Sequence, residues 1–378
     1  MSSDERVYTG INAGAPREAR HYGIDLLRLV SMLMIPVLHV LGQGGVMAKT
    51  SSNHSTYYAC WLLETACLCA VNCFGLISGF VGIRARFRVK KILRMIMTVE
   101  FYSLLLTLVL GLSHPEWINR DVLLKSVLPI QWKAWWYYSA YVALFFLMPF
   151  LNKGIQALTI KEKKQLLVLL FVVFSFSTTF SKPFGIDFLE LIGGYSLIWL
   201  IVLYVFGACL REVMDTGSGG IPIPGRLWCL LGYLLCVLVG WGWKLLVEYH
   251  RIKEPAQTTF NRMFLTYTAP TIFGCAVFLL LLFYRIHIRA KGLCRFITVL
   301  TPSAFYVYIL HTHPLVWEHI LNERFTRWLS LPPASALIRS ILAAAVIFIL
   351  CMGLDLLRRC ILDFMHKENR FGRLQKRN

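Results

Sequence analysis

Residues Tyr22 to Val46, YGIDLLRLVSMLMIPVLHVLGQGGV, constrain the fold of this chain more than any other stretch. A run this apolar is long enough to cross a bilayer as a helix, which takes about 20 residues. It nevertheless carries Arg28 and His39, eleven positions apart. At ~100° per residue that spacing is three turns plus roughly 20°, so both side chains lie on one helical stripe, ~16 Å apart along the axis. This reading puts Arg28 near the inner edge and His39 well inside. Ionisable groups in hydrocarbon are costly, face protein rather than lipid, and mark functional paths. Pro36, one turn before His39, cannot donate to the Met32 carbonyl, and the expectation is a bend there. Taken singly, Arg28 also fits a snorkelling anchor and His39 a structural histidine. Their shared stripe favours function.

Composition agrees with a membrane setting. The 378 residues are 57% hydrophobic and 16% charged, where a soluble domain carries about 25% charged residues. Lys and Arg outnumber Asp and Glu 39 to 20. That excess would suggest nucleic acid in a soluble protein. Here it gathers between apolar spans, so no nucleic-acid partner is expected, and the cations set topology and meet anionic membrane lipids. The eleven cysteines lie mostly in or near spans without a disulfide or zinc spacing and read as small buried apolar residues. The polar first twenty residues lack the apolar core of a cleaved signal peptide.

Ten spans can be drawn, at about 24–46, 57–83, 92–112, 134–151, 166–181, 193–210, 227–247, 263–285, 299–321 and 337–360. The predicted fold is all-α, a polytopic transmembrane helical bundle. Residues 1–22 form an N-terminal tail, 23–362 one membrane domain and 363–378 a basic C-terminal tail. Basic residues alternate: Arg84 to Arg94, then Lys153 to Lys164, Arg211 and Arg226, Arg289 to Arg295, and the tail after Arg358. The positive-inside rule puts these connections and both termini in the cytoplasm. Arg251, Lys253 and Arg262 fit it least well. The Ser113–Lys133 connection, with Trp117 and Trp132, suits the outer interface, and Gly217–Gly225 reads as an irregular connection. No internal repeat is visible.

Four further stretches carry polar groups suited to chemistry. The second span ends in NCFGLISGF, where Gly75, Ser78 and Gly79 permit close helix approach and Asn72 and Ser78 can bond across helices. The basic run RARFRVKKILRM follows, with Lys91 and Arg94 on one helical face. Trp135, Trp136 and Tyr137 suit an aromatic belt or a platform for a sugar. Asp187 and Glu190, just before Tyr195, are acids on the outer side. Glu64 and Glu100 are intramembrane acids, either of which can orient a histidine or serve only as a structural hydrogen-bonder. No GxSxG elbow, HxxxxD pair, phosphate loop or metal constellation is present.

Together these motifs resemble the membrane acyltransferase-3 family, which includes many bacterial O-acetyltransferases of surface sugars. The resemblance runs from about Tyr22 to Trp317. It rests first on Arg28, ten residues, then His39, and on the SGF segment at Ser78–Phe80. Supporting matches are the KRxxR-like Lys90, Lys91 and Arg94; the aromatic helix with Pro149 and Asn152; Gly194, Tyr195, Trp199, Tyr204 and Gly207; and Phe305, Tyr308 and His311. The resemblance implies transfer of an acyl group, usually acetyl, from cytosolic acyl-CoA to a hydroxyl of an envelope carbohydrate or a lipid-linked acceptor. It implies no metal, and a bacterial cytoplasmic membrane. In that reading His39 and His311 join Arg28 in catalysis. Arg28, Lys90, Lys91 and Arg94 hold the coenzyme phosphates. Asn72, Ser78, Tyr137, Tyr195 and Glu190 bind substrate, with Asn72, Ser78 and Tyr306 as alternatives for stabilising the oxyanion. At similar depth His311 either shares a site with His39 or caps its helix. A transporter or flippase, with Arg28, His39, Glu64 and Glu100 lining a relay, is the other class these residues allow.

Overall fold

The computed structural model describes residues 20–47, 54–215, 220–250 and 258–375. All regular structure among them is helical. In order these are α1 (Tyr22–Leu41), α2 (His54–Cys67), α3 (Ala70–Gly82), α4 (Val89–Ser113), α5 (Arg120–Val127), α6 (Trp136–Ala157), α7 (Ile160–Leu170), α8 (Thr178–Ser181), α9 (Leu197–Met214), α10 (Arg226–His250), α11 (Thr258–Asn261), α12 (Pro270–Tyr284), α13 (Lys291–Leu300), α14 (Ala304–His311) and α15 (Pro333–Gln375). A π-helical turn at Phe171–Ser177 joins α7 to α8, and α2 and α3 continue one another across two turn residues.

Nine helical stretches are long and apolar enough to span a membrane among the described residues, and α12 adds a shorter apolar helix of 15 residues. They correspond one for one to the ten expected spans, with two departures. The eighth is shorter than drawn, because Pro270 starts α12 and the chain before it turns irregularly. The ninth begins at Lys291 and ends at His311, eight residues earlier at its start and ten earlier at its end. Pro314 accounts for the end: it lacks an N–H and bars its predecessor from helical geometry. Residues Val316–Leu321 form a separate π-helical turn. α15 runs through the expected boundary at 362 to Gln375. Arg251 and Lys253 lie outside the described residues, as does part of Gly217–Gly225.

The basic connections converge on one face of the bundle. Arg84 bonds Asp215 at 2.7 Å and Lys163 approaches Glu212 at 3.6 Å. Arg226 donates to the Arg285 carbonyl and Arg359 to that of Val299. At the opposite face the Ser113–Lys133 connection folds back: Ser103 of α4 donates to the Ser126 carbonyl of α5 at 3.0 Å. Trp117 lies stacked between His114 and His319, at 3.9 and 4.3 Å.

At the centre, α3 and α9 approach so closely that only glycine fits. A Cβ on Gly79 would lie 1.8 Å from the Tyr204 carbonyl oxygen, and one on Gly207 would lie 2.1 Å from that of Leu76. The glycine of the SGF segment therefore sets a helix crossing. α1 is continuous through Pro36 and ends at Leu41 before Gly42, Gly44 and Gly45, the last with φ of 82°. The glycine turn is covered by the chain after α14: Glu323 and Phe325 donate their N–H groups to the Gln43 and Gly44 carbonyls. His39 is thus in the last turn of α1, nearer the C-terminal end of that helix than the sequence suggested.

Candidate active site

Two helices deliver the central pair. α1 presents His39 and α14 presents His311 as its last residue, and the Nδ1 of His39 lies 2.8 Å from the Nε2 of His311. The tautomers follow from the next bond. The Nδ1 of His311 is 2.5 Å from the Val307 carbonyl, one helical turn back. A carbonyl only accepts, so His311 carries its proton on Nδ1 and offers a lone pair at Nε2. His39 must then donate from Nδ1, which leaves its own Nε2 as a base with a free lone pair. That nitrogen meets no hydrogen-bonding partner among the described residues, and His39 is only partly buried between the buried Leu38 and Val40. Trp317 packs edge-on to the His39 ring at 4.8 Å. The arrangement holds one imidazole by its back nitrogen and leaves the front free for a proton.

Glu64 and Glu100 do not orient either ring; the Val307 carbonyl and the second histidine fill those places. His313, buried beyond the pair, accepts from the Leu315 N–H through Nδ1 and places Nε2 3.2 Å from both the Ser103 carbonyl and the Thr107 hydroxyl. It fixes the turn that ends α14 against α4.

Arg28 stands at the other end of the stripe. Its Nη1 bonds the Asp25 carboxylate at 2.6 Å, and Arg20 bonds the second carboxylate oxygen at 2.5 Å. Asp25 is 5% exposed, in the first turn of α1, where the helix dipole favours an anion. One carboxylate therefore orients two guanidinium groups. Sequence reasoning missed Asp25, although an acid three residues before Arg28 was the available signal. Lys91 of α4 stands near enough for its charge to oppose that of Arg28. Arg94 faces a different group, beside Tyr306 and Arg358, whose guanidinium bonds Asp355 at 2.7 Å. Lys90 is exposed nearby. Thus Arg28 and Lys91 share one mouth, with Arg94 on its flank.

The remaining candidates divide clearly. Asn72 is fully buried and fully used: its amide donates to the Tyr267 carbonyl at 2.7 Å and its oxygen accepts from Trp199 Nε1 at 3.0 Å. Ser78 donates to the Phe74 carbonyl, with Tyr141 close by. Tyr137 is buried with its hydroxyl unpartnered, next to Tyr308, which lies three residues before His311 on the same helical face. Tyr195 packs on Trp136 at 4.8 Å and on Tyr267 at 4.9 Å. Glu190 is an exposed loop residue with φ of 50°. Among the described residues, no group of three His, Cys, Asp or Glu is placed to hold a metal ion.

The acyltransferase-3 family model, described as an acyltransferase domain, matches residues 21–355. The chain belongs to the acyltransferase-3 family. No curated protein and no solved structure matches it. The acyltransferase-3 match begins one residue before α1 and ends on Asp355, so it takes in both histidines, Arg28 and the basic mouth. With its membrane-length helices, the chain is a multi-pass membrane acyltransferase.

Proposed function

We propose that this acyltransferase moves an acetyl group from cytosolic acetyl-CoA to a hydroxyl of an envelope carbohydrate, in a bacterial cytoplasmic membrane with the basic face inward. The observation that carries the reading is the back-bonded His39, with its free Nε2 on the stripe that begins at Arg28. Arg28, Lys91 and Arg94 suit the pyrophosphate and 3′-phosphate of coenzyme A, which guanidinium and ammonium groups hold by charge-assisted hydrogen bonds. The extended pantetheine arm then runs along the ~16 Å stripe and presents the thioester near His39.

His39 Nε2 takes the proton from the acceptor hydroxyl as its oxygen attacks the thioester carbonyl. The imidazolium that forms is positioned by the His39 Nδ1–H to His311 bond. Collapse of the tetrahedral intermediate breaks the carbon–sulfur bond, and the proton passes from His39 to the departing coenzyme A thiolate. An ester forms and a thiol leaves, so atoms and charge balance. Because His39 is in the last turn of α1, the acceptor meets the thioester near the face opposite the basic mouth.

Incubation of the purified protein with labelled acetyl-CoA and envelope fractions tests the reading. Label in an alkali-labile ester is the expected result. Solute uptake by proteoliposomes without label transfer would overturn it in favour of transport.

A further inference from the structure

The start of α10 meets the end of α12 at the basic face, around a cavity of about 460 Å³. Ile223, Arg226, Tyr284, Arg285 and His287 line it. Arg28, Lys91 and Arg94 do not, so the cavity is separate from the mouth on the α1 stripe. Arg226 opens α10 and donates from Nε and Nη2 to the Arg285 carbonyl, at 3.1 and 2.7 Å. Arg285 in turn donates from Nη2 to the Ile223 carbonyl.

These bonds staple two helix ends together, and a purely structural pair of arginines would do that much. Two features go beyond a staple. Arg285 Nε is buried without a hydrogen-bond partner, although buried donors are almost always bonded. Nor is either guanidinium ion-paired with a carboxylate among the described residues. Glu212 and Asp215, acids of the same face, are taken by Arg84, Lys163 and Arg211. Two uncompensated cations beside a cavity call for an anion, and guanidinium forks match phosphate oxygens. The first turn of α10 adds its dipole in the same sense.

The surroundings indicate which phosphate. Leu230 and Leu234 follow Arg226 by four and eight residues and so share its helical stripe. They are 41% and 42% exposed, on a helix long and apolar enough to span the membrane. A ligand with its phosphate between the arginines can therefore lay an acyl chain along α10. Basic pockets between spans bind anionic head groups, and a site without a free carboxylate offers nothing to the ammonium of a zwitterionic one.

We propose that Arg226 and Arg285, in the cavity walled by Ile223, Tyr284 and His287, bind the phosphate of an anionic phospholipid whose acyl chain follows Leu230 and Leu234. This site stands apart from the acyl-transfer reading and does not depend on it.

The test is native mass spectrometry of the full chain in detergent, titrated with dioctanoyl phosphatidylglycerol or dioctanoyl phosphatidylcholine. The wild type should retain phosphatidylglycerol in clear preference. Arg226→Gln and Arg285→Gln should each weaken its retention about tenfold, the worth of one charge-assisted hydrogen bond. Arg120→Gln, which removes an exposed cation at the opposite face, should not. Ile223→Glu keeps both arginines and the main-chain carbonyl that Arg285 uses, but places a carboxylate in the cavity. It should abolish the preference, and it gives the readout should a charge variant fail to fold. Equal retention of the two lipids by the wild type, or unchanged retention in the folded cavity variants, would overturn the site. Thermal stabilisation by inorganic phosphate as strong as by phosphatidylglycerol, and lost in the same variants, would overturn the lipid in favour of a soluble phosphate.

Discussion

His311 donates to the carbonyl of Val307 and thereby fixes which nitrogen of His39 is free. A chain of two hydrogen bonds, from main chain to His311 to His39, sets the tautomer of a base. The two histidines should therefore fail differently. His39→Ala should lower transfer about 10²- to 10⁴-fold with coenzyme binding retained. His311→Gln, which can still accept from His39 Nδ1, should lose less than His311→Leu, which cannot. Steady-state rates with acetyl-CoA at saturation check the ranking, with melting temperatures as the folding control. Near wild-type transfer by a folded His39→Ala would remove His39 from the mechanism.

At the basic mouth, Asp25 holds Arg20 and Arg28 together, so donor affinity should depend on an acid as well as on cations. Arg28→Ala should raise the acetyl-CoA Kd, and Arg28→Lys should recover part of it as a point charge without the planar fork. Asp25→Asn should weaken donor binding by releasing Arg28 from its position. Equilibrium binding of acetyl-CoA measures each, and an unchanged Kd in Arg28→Ala would reassign it to anchoring.

His21 gives a pH dependence of stability. Burial, and then the charge of His287, lower its proton affinity below the usual histidine value, with Arg211 adding to the effect. Its Nδ1 caps α1 by accepting from the Ile24 N–H, and its ring stacks on Tyr284 at 4.8 Å. The unfolded chain takes up this proton first, as pH falls through ~6.5. Stability should thus be complete above that pH, decline below it toward the lower folded value, and then level off. Thermal melts across pH 5 to 8 should show the decline, and His21→Gln should flatten it.

The α3–α9 crossing has no room for a methyl group. Gly79→Ala puts a Cβ against a backbone oxygen, which no rotamer relieves. Overpacking costs about 1–3 kcal/mol, and a backbone contact belongs at or above the upper end. Gly79→Ala should therefore lower the melting temperature well below that of Ser78→Ala, which loses a bond to the Phe74 carbonyl and a contact with Tyr141 but meets no steric clash. Equal melting temperatures would remove the steric role of the crossing.

The orientation expected from the basic connections is directly measurable. In a Cys360→Ser background, which removes an exposed native thiol, an Arg88→Cys reporter should resist an impermeant reagent in intact cells and react after lysis. Labelling in intact cells would put the donor mouth on the wrong side.

The spans were legible because apolar length and basic alternation are local properties of the chain. So was the stripe, since helical phase alone puts Arg28 over His39. The meeting of His39 with His311 was open, because depth along two separate helices does not fix their lateral distance. The ninth span was misplaced for a related reason: hydropathy continues past Pro314, whereas the helix cannot. Asn72 looked available from sequence, but the Tyr267 carbonyl and the Trp199 indole that use it up come from distant parts of the chain. Lys244 and Glu248 carried a readable signal, opposite charges four apart in an apolar run. Span length and mean hydropathy do not register such a pair, because the two charges are outweighed by the apolar residues around them.

α12 has 15 residues, ~22 Å of helix against a hydrocarbon layer of ~30 Å. The shortfall is filled by the irregular chain between α11 and α12, including Tyr267 and Thr268, both buried in protein. Non-helical backbone at such depth is tolerated only where protein covers it. Tyr267, which packs against Tyr195 and Trp136, belongs to that segment. Under the proposed function, the bundle behaves locally as a thinner membrane, and an acceptor reaching Tyr195 would already have passed part of the barrier on a protein surface. The distance left for the acyl group to travel would then be set by the protein, not by the thickness of the surrounding lipid.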